Sequence, residues 1–405
     1  MPIPANHVNR SEEQSESGER GDETEGRPLF QWRARLPSLD GWRAISLVLV
    51  LGSHTAITAG TPPLAAKVLN RVFDGALGVR FFFVISGFLI TWLMMVENQR
   101  TGTVSLRHFY VRRALRILPV YLVFLGVLAG LQWCTPLHQS AALWVGNLTF
   151  TTNFLYEPGM NGHQSAHLWS LAVEEQFYLL WPVAFLWLRG KEPLKVACWL
   201  VGGAVAVVLL NRWLERLPEV MSTGLGRLFQ EWSFFNSVDS LAMGCAAALL
   251  LGRYPQQVIK AWLGGAGWRT FAFGVILIQC PYVVHKLGES PSFHDTLGTA
   301  CDVVWYGLSR TIQSFGFVLL VLHSVTSPQW LPYRLLNHAL VARVGVVSYS
   351  AYIWQQLFCS DPATYGIGPV WWLSFPGWIV PVIPLAFVSY YGLECPFLKL
   401  RHRFR

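Results

Sequence analysis

Long apolar runs recur along this chain and limit what it can fold into. A stretch of about 20 apolar residues is long enough to cross a bilayer as a helix. With 53% hydrophobic and 13% charged residues, the chain is also too apolar for an ordinary soluble enzyme, in which about 25% of residues are charged. The sequence therefore predicts an all-α, polytopic integral membrane protein. About ten transmembrane helices are expected, near residues 40–59, 77–96, 114–133, 170–188, 194–211, 234–251, 270–287, 303–323, 344–360 and 371–393.

The segments outside these runs predict the domain organisation. Residues 1–35 form an acidic tail that we expect to be disordered and cytoplasmic. The tail lacks the apolar core of a signal peptide, so the first span is expected to remain in the protein. Residues 36–400 form the predicted membrane domain, and residues 401–405 form a basic cytoplasmic tail. The stretch 142–155 is short and polar, which predicts a re-entrant or interfacial helix.

The distribution of basic residues predicts the orientation. The connection between the second and third runs contains Arg100, Arg107, Arg112, Arg113 and Arg116 without an acidic residue. By the positive-inside rule this connection is cytoplasmic, and an even number of spans places both termini on the same side. The net charge of +8 comes from such short loops, so membrane lipid is an expected partner and nucleic acid is not.

The first apolar run, LDGWRAISLVLVLGSH, contains three ionisable groups. Arg43 and His54 are eleven residues apart, which on a helix gives a common face and a separation of about 16 Å. Asp40 can pair with Arg43 across the first turn. One interpretation is a basic anchor at a helix start and a structurally bonded histidine. An ionisable group inside a span is, however, a candidate functional residue.

Two further charged pairs are candidate site residues. Arg113 and Arg116 lie on one helical face at the start of the third run, where guanidinium groups can grip phosphates. Their alternative role is an inner-loop stop signal. Glu174 and Glu175 lie near the outer start of the fourth run, where a helix dipole favours acids. Because a pair exceeds what capping requires, we expect at least one glutamate to face a cavity.

The remaining polar residues in the runs predict weaker candidates. Asp239 and Trp169 are candidate substrate contacts. Ser348, Tyr352 and Gln355 form a polar stripe in the ninth run, for which we expect a role in helix packing. The seven cysteines are scattered without C-x-x-C spacing, so neither a metal site nor a disulfide framework is indicated.

Three segments together carry a resemblance: LDGWRAISLVLVLGSH, then GVRFFFVISGFLITWLMMVENQRTGTVSLRHFYVRRALRILPVY, then HLWSLAVEEQFYLLWP. In order and spacing they resemble the membrane acyltransferase 3 family. Weaker similarity continues in VDSLAMGCAAALL, VGVVSYSAYIWQ and GLECPFLKL. The resemblance implies about ten spans and transfer of an acyl group, commonly acetyl from acetyl-CoA, to hydroxyl groups of glycans, lipid-linked sugars or small natural products.

The resemblance also implies roles for individual residues. It makes His54 the catalytic histidine and Arg43 its partner, and it places Arg113 and Arg116 on the phosphates of acyl-CoA. Glu174 or Glu175 would line the pore. The chain departs from the family at Arg80, where an aspartate is frequent, and at Gln355, where a histidine is common.

The sequence thus predicts a membrane O-acyltransferase that uses acetyl-CoA, or another acyl-CoA, as cosubstrate and no metal. Its catalytic residues would be His54, Arg43, Glu174 and Glu175, and Asp40, Asp239 and Trp169 would contact the substrate. A carbohydrate or another hydroxyl-bearing acceptor in a bacterial cytoplasmic membrane is expected. The alternative is a proton-coupled transporter or flippase of a sugar or lipid, with His54 and the glutamates as a proton relay.

Overall fold

The computed structural model describes residues 36–155, 163–229, 232–265, 267–288 and 291–401, and within these ranges it contains helices and no strand. The all-α prediction is confirmed. Ten long helices occur in the described ranges, and we number them α1 (Leu39–Ile57), α2 (Gly75–Thr101), α3 (Leu106–Cys134), α4 (Leu168–Leu188), α5 (Pro193–Leu214), α6 (Val238–Arg253), α7 (Trp268–Gly288), α8 (Pro291–Thr326), α9 (Ala339–Phe358) and α10 (Ile379–Ser389). The predicted acidic tail lies outside the described residues, as does the basic tail after Arg401.

The helix α10 differs from its predicted window. The window begins at residue 371, but Trp371–Leu373 is a 3-10 turn and α10 begins only at Ile379. Pro376 and Gly377, which disfavour a continuous helix, lie between the two. At its other end α10 continues through a π-helical turn, Tyr390–Glu394, into the short helix Cys395–Leu400.

Short helices connect the long ones: Pro63–Val72, Ala141–Thr149, Thr152–Leu155, Pro218–Met221, Gln256–Trp262 and Leu331–Leu336. The segment predicted to be re-entrant or interfacial forms two of them, with nine and four residues. Phe150, with φ of 55°, ends the first in the left-handed conformation. Both helices are far shorter than the roughly 20 residues that a membrane span requires.

Five helical segments in the described residues are long and apolar enough to cross a membrane: Pro63–Thr101, Leu106–Cys134, Pro193–Leu214, Gly307–Thr326 and Ile379–Leu400. Because a spanning helix satisfies its backbone hydrogen bonds internally, helices of this kind suit a lipid environment. The protein is an integral membrane protein.

Glycines bring two pairs of helices into close contact. A Cβ atom added to Gly345 of α9 would lie 1.7 Å from the carbonyl oxygen of Asp40, at the start of α1. A Cβ atom added to Gly244 of α6 would lie 2.1 Å from the carbonyl oxygen of Val84 in α2. Small residues at such crossings let backbones approach closely, which is a common basis of helix packing in membranes.

One end of the bundle is marked by the arginine-rich connection between α2 and α3, and we call it the arginine-rich end. There Arg112 forms a salt bridge with Glu97, which also accepts a hydrogen bond from the backbone N–H of Ser105. The connection between α4 and α5 lies at the same end, since Arg189 donates to the hydroxyl of Thr103.

Helices α1 and α2 separate two apolar cores. Leu47 and Phe83 belong to a core shared with α3, α4 and α9. Trp42 and Phe81 belong to a second core, in which Phe81 stacks on Phe317 of α8 with ring centroids 3.8 Å apart. Both helices are therefore held on two sides, and this fixes the direction in which their polar residues point.

The α2–α6 crossing gives a test of this packing. We expect Gly244→Ala to reduce the free energy of unfolding by about 1–3 kcal/mol, because the new Cβ meets backbone that cannot move aside. The matched control is Gly126→Ala in α3, where no atom lies within 4 Å of the added Cβ. That variant should be neutral or slightly stabilising, because alanine favours helix over glycine. Thermal unfolding in detergent measures both, and equal effects would contradict the packing described here.

Candidate functional site

A cavity of about 70 Å³ with both polar and apolar lining residues lies inside the bundle, and we call it the arginine cavity. Helical spacing explains why polar residues meet there, because residues three or four positions apart share a face. Three helices, α3, α4 and α9, each contribute such a set, whereas α1 and α2 contribute one polar residue each. The polar lining residues are Arg43 of α1, Ser86 of α2, Arg113 and Arg116 of α3, Ser170, Glu174 and Tyr178 of α4, and Ser348, Tyr349 and Tyr352 of α9.

Acidic and aromatic groups surround the arginines of this cavity. The guanidinium of Arg113 lies 4.3 Å from the centre of the Tyr178 ring, a cation–π contact. Arg113 also interacts electrostatically with Glu174 and Glu175. The environment of Arg43 includes Asp40 and Glu174, which attract its charge, and Arg116, which repels it. These carboxylates offset part of the cost of holding guanidinium groups inside a helix bundle.

The two glutamates lie deeper than the sequence analysis expected. Helix α4 begins at Leu168, so Glu174 is more than one turn inside it and beyond the strongest influence of the helix dipole. Glu174 lies beside Ser86 and Tyr178, whose hydroxyl groups are hydrogen-bonded to each other. The carboxylate oxygen Oε1 of Glu175 is buried and has no hydrogen-bond partner among the described residues. Glu174 thus lines the arginine cavity and does not act as a helix cap, and Glu175 is a buried acid next to it.

A third acid at this site was missed by sequence reasoning. Glu394 is 1% exposed and lies in the π-helical turn that follows α10. The hydroxyl of Ser350 donates to it, and it interacts electrostatically with Arg116 and Arg43. π-Helical turns often occur at functional sites, but a hydropathy pattern carries no signal for them.

His54 lies on the same face of α1 as Arg43, about 16 Å further along the helix axis. Its Nδ1 atom is 2.9 Å from Oε1 of Gln355 in α9. An amide oxygen only accepts hydrogen bonds, so Nδ1–H donates, and Nε2 of the neutral ring retains a lone pair. Gln355, for which the sequence suggested a packing role, therefore selects the tautomer of His54. The signal that could have found it is its departure from the family pattern.

Two more histidines lie near His54. Nε2–H of His167 donates to the carbonyl of Ile353 at 3.0 Å, and its Nδ1 is buried without a hydrogen-bond partner among the described residues. The amide of Gln356 donates to Nε2 of His163 at 2.8 Å, which requires that nitrogen to be unprotonated. Desolvation lowers the pKa of His163, which favours the same neutral form.

A hydroxyl pair connects the arginine cavity with the histidines. Ser170 and Tyr352 line the cavity, and their hydroxyl oxygens are 2.6 Å apart. The Tyr352 hydroxyl also lies 3.1 Å from the carbonyl oxygen of His167. Polar groups thus continue from Arg43 towards His54 along the inner faces of α4 and α9.

The other two candidate substrate contacts lie apart from this path. Trp169 packs edge-on against Phe83 and against Trp232, with ring centroids 6.1 and 4.7 Å apart. Asp239 is 1% exposed and accepts a 2.7 Å hydrogen bond from the hydroxyl of Thr311 in α8. It is not among the residues that line the arginine cavity, and its contacts join α6 to α8.

The fold and site define an all-helical membrane protein that encloses ionisable residues contributed by several helices. Residues 36–391 match the model of the acyltransferase domain of the acyltransferase 3 type, and the chain belongs to this family. It is 33% identical over 389 residues to the protein named O-acetyltransferase OatA in Staphylococcus aureus strains NCTC 8325 / PS 47 and COL, covering 90% of this chain and 57% of the relative.

Other Staphylococcus aureus relatives, which carry a provisional O-acetyltransferase name, are 26% identical to this chain over 403 residues. The alignment covers 93% of this chain and 60% of those relatives. The chain thus spans about 60% of the length of the curated relatives that it matches. No solved structure matches the chain.

The proximity of Arg113 and Glu175 predicts an energetic coupling between them. Arg113→Met alone should destabilise the protein, because it removes the cation that interacts with the buried Glu175. Adding Glu175→Gln should recover about 0.5–3 kcal/mol, as expected for two groups that interact directly. A double-mutant cycle measured by thermal unfolding tests this. Arg107→Met, an exposed change at the start of the same helix, is the control and should have little effect. Additive effects of the two substitutions would contradict the coupling.

Proposed function

We propose that this protein is a membrane O-acetyltransferase that transfers an acetyl group from acetyl-CoA to a hydroxyl of a carbohydrate or another acceptor. Family membership and the names of the relatives support an acyltransferase of this kind. The observation that carries the proposal is the pairing of His54 with Gln355, which leaves Nε2 of His54 able to accept a proton. This base lies at one end of a polar path whose other end is rich in arginine.

The proposed topology follows from helix order and charge. All ten long helices cross a bacterial cytoplasmic membrane, α10 together with its continuation to Leu400, and the arginine-rich end faces the cytoplasm, as the positive-inside rule requires. The membrane domain then comprises residues 36–400. Arg43 lies near the cytoplasmic surface, whereas His54 lies in the outer half of the membrane. A cytoplasmic donor and an acceptor from the outer side could thus meet within one protein.

The residues of the arginine cavity suit the phosphate end of an acyl-CoA. Arg113 and Arg116 project from one face of α3, and guanidinium groups bind phosphate oxygens in a fork geometry. Arg43 adds a third cation to the same lining. The thioester lies at the far end of coenzyme A from its phosphates, so the thin arm between them would follow the polar path past Ser170 and Tyr352 towards His54.

The chemistry needs a base, because a thioester is already activated towards attack. Nε2 of His54 takes the proton of the acceptor hydroxyl while the hydroxyl oxygen bonds to the acyl carbon. The carbon–sulfur bond breaks, and the imidazolium returns the proton to the departing sulfur. Gln355 acts as a positioning residue, because it holds Nδ1–H and the orientation of the ring. A route in which His54 is acylated first would use the same residues and would give ping-pong kinetics.

Release of coenzyme A from acetyl-CoA by the purified protein, with a panel of sugar acceptors, tests the proposal. His54→Ala should reduce kcat by about 10²–10⁴-fold, because it removes the general base. Arg113→Ala/Arg116→Ala should raise KM for acetyl-CoA at least about tenfold, because charge-assisted hydrogen bonds to phosphate are lost. Arg107→Ala is the matched control and should behave as the wild type.

Two results would contradict the proposal. Full activity of His54→Ala would remove His54 from the chemistry. A wild-type protein that binds no acyl-CoA, seen as an unchanged melting temperature in its presence, would instead favour the proton-coupled transporter or flippase.

Gln355 gives a separate prediction about kcat. Gln355→Leu should reduce kcat by about 10²-fold with little change in KM for acetyl-CoA, because His54 loses its orientation and the binding residues are untouched. Gln355→Glu keeps an acceptor for Nδ1–H and should retain more activity than Gln355→Leu. If the two variants were equally active, Gln355 would not position His54.

A further inference from the structure

A second and larger cavity opens at the arginine-rich end, between the last turns of α2, α4 and α6 and the start of α5. We call it the α4–α5 cavity, and its volume is about 200 Å³. Its floor is apolar, whereas three basic residues lie at its rim. The floor includes Trp181, Phe185 and Leu249, and the rim consists of Arg189, Lys191 and Arg253.

Two polar atoms in the lining have no hydrogen-bond partner among the described residues. Trp181 is 5% exposed, and its indole Nε1–H is buried without an acceptor. The side-chain oxygen of Asn98, from the last turns of α2, is likewise buried without a donor. Buried tryptophan N–H groups usually find a partner. Because Trp181 lines the cavity, an acceptor atom on a ligand there could satisfy this N–H group.

The rim carries an excess of positive charge. Arg189 donates to the hydroxyl of Thr103 at 3.1 Å, and the ammonium of Lys191 lies 4.0 Å from the centre of the Trp187 ring. Within the described ranges neither residue forms a salt bridge, and the same is true of Arg253. Glu192 is an acid close to Arg253, with which it interacts electrostatically. Its two oxygens already accept the backbone N–H groups at the start of α5, so it offsets only part of the charge.

We propose that the α4–α5 cavity is a binding site for a phosphate ester joined to an apolar or aromatic group. The cations of the rim bind the phosphate, the floor receives the attached group, and Trp181 donates its N–H to an oxygen between them. A free inorganic anion would not use the apolar floor. An uncharged lipid would not need the basic rim.

Two molecules supply this chemistry at the cytoplasmic face. One is an anionic phospholipid of the adjoining leaflet, and the other is the nucleotide end of coenzyme A, with its 3′-phosphate. The second source rests on the proposed function, whereas the first does not. The geometry allows coenzyme A to reach both cavities, because Tyr178 lines the arginine cavity and Trp181 lines the α4–α5 cavity. These residues are about 4.5 Å apart along the axis of α4.

The test uses the full chain in nanodiscs of phosphatidylcholine and measures its melting temperature. Phosphatidylglycerol is added in one arm, and coenzyme A or 3′-dephospho-coenzyme A is titrated in the other. The variants are Arg189→Gln/Lys191→Gln, which neutralises two rim charges, and Trp181→Phe, which keeps an aromatic ring and removes the donor. Lys195→Gln is the matched control, because Lys195 is an exposed cation at the start of α5 that does not line the cavity.

We expect the ligand that occupies the cavity to bind about fivefold more weakly to each test variant and unchanged to Lys195→Gln, since an exposed charge or a neutral hydrogen bond contributes about 1 kcal/mol. A loss confined to phosphatidylglycerol identifies the lipid. A loss for coenzyme A that is smaller for the 3′-dephospho form identifies the nucleotide.

The proposal is overturned if each ligand shifts the melting temperature of the two test variants as much as that of the wild type. If the wild type binds no coenzyme A, the proposed function fails. In that case the measurements with phosphatidylglycerol alone decide whether the cavity binds a phosphate ester.

Discussion

The cost of holding guanidinium groups inside a helix bundle is the constraint on which the rest of this structure depends. Arg43 and Arg113 come from helices that are distant in sequence, and each needs compensating groups from other helices. Helix α4 supplies Glu174 and Tyr178. Glu394 comes from the π-helical turn after α10, where one extra residue in the turn changes the direction of the following side chains. The relative positions of α1, α3, α4 and α10 are therefore coupled through these charges as well as through apolar packing.

The histidine end of the polar path has a different electrostatic character. His54 and His163 are hydrogen-bonded to the neutral amides of Gln355 and Gln356, and no carboxylate is hydrogen-bonded to either ring within the described part of the chain. A carboxylate partner would favour the imidazolium form more strongly than a neutral amide does, and each amide defines the tautomer of the neutral ring that it contacts. One path thus has charged groups at the arginine-rich end and neutral polar groups beyond. In the proposed reaction this order suits a phosphorylated donor at one end and a proton acceptor at the other.

Hydropathy predicts where most helices of this protein lie, because each helix is encoded by neighbouring residues, although the bounds of α8 and α10 differ from their predicted windows. The first run was predicted at 40–59, and α1 is Leu39–Ile57. Helical spacing also placed Arg113 and Arg116 on one face, and both line the arginine cavity. The errors concern relations between helices. Gln355 was predicted to serve helix packing, and its hydrogen bond does join α9 to α1, but its partner, His54, lies 301 positions away and could not be identified from the local pattern. Glu394 was overlooked because a π-helical turn has no periodic signature. The depth of Glu174 depends on the residue at which α4 begins, and turn chemistry, not hydropathy, decides that residue.

The close α1–α9 contact links these features. Gly345 lets the start of α1 approach the backbone of α9. About four turns further along α1 and about three turns further along α9, His54 meets Gln355. Because both helices run in the same direction, a displacement at the glycine would shift the register at the histidine. The arginine of α1 lies between these two points, so the same contact that positions the proposed base also fixes Arg43 in its cavity. Helix packing therefore determines the geometry of the site in this protein. A glycine such as Gly345, which carries no polar side-chain atom, can thus control the chemistry of the site.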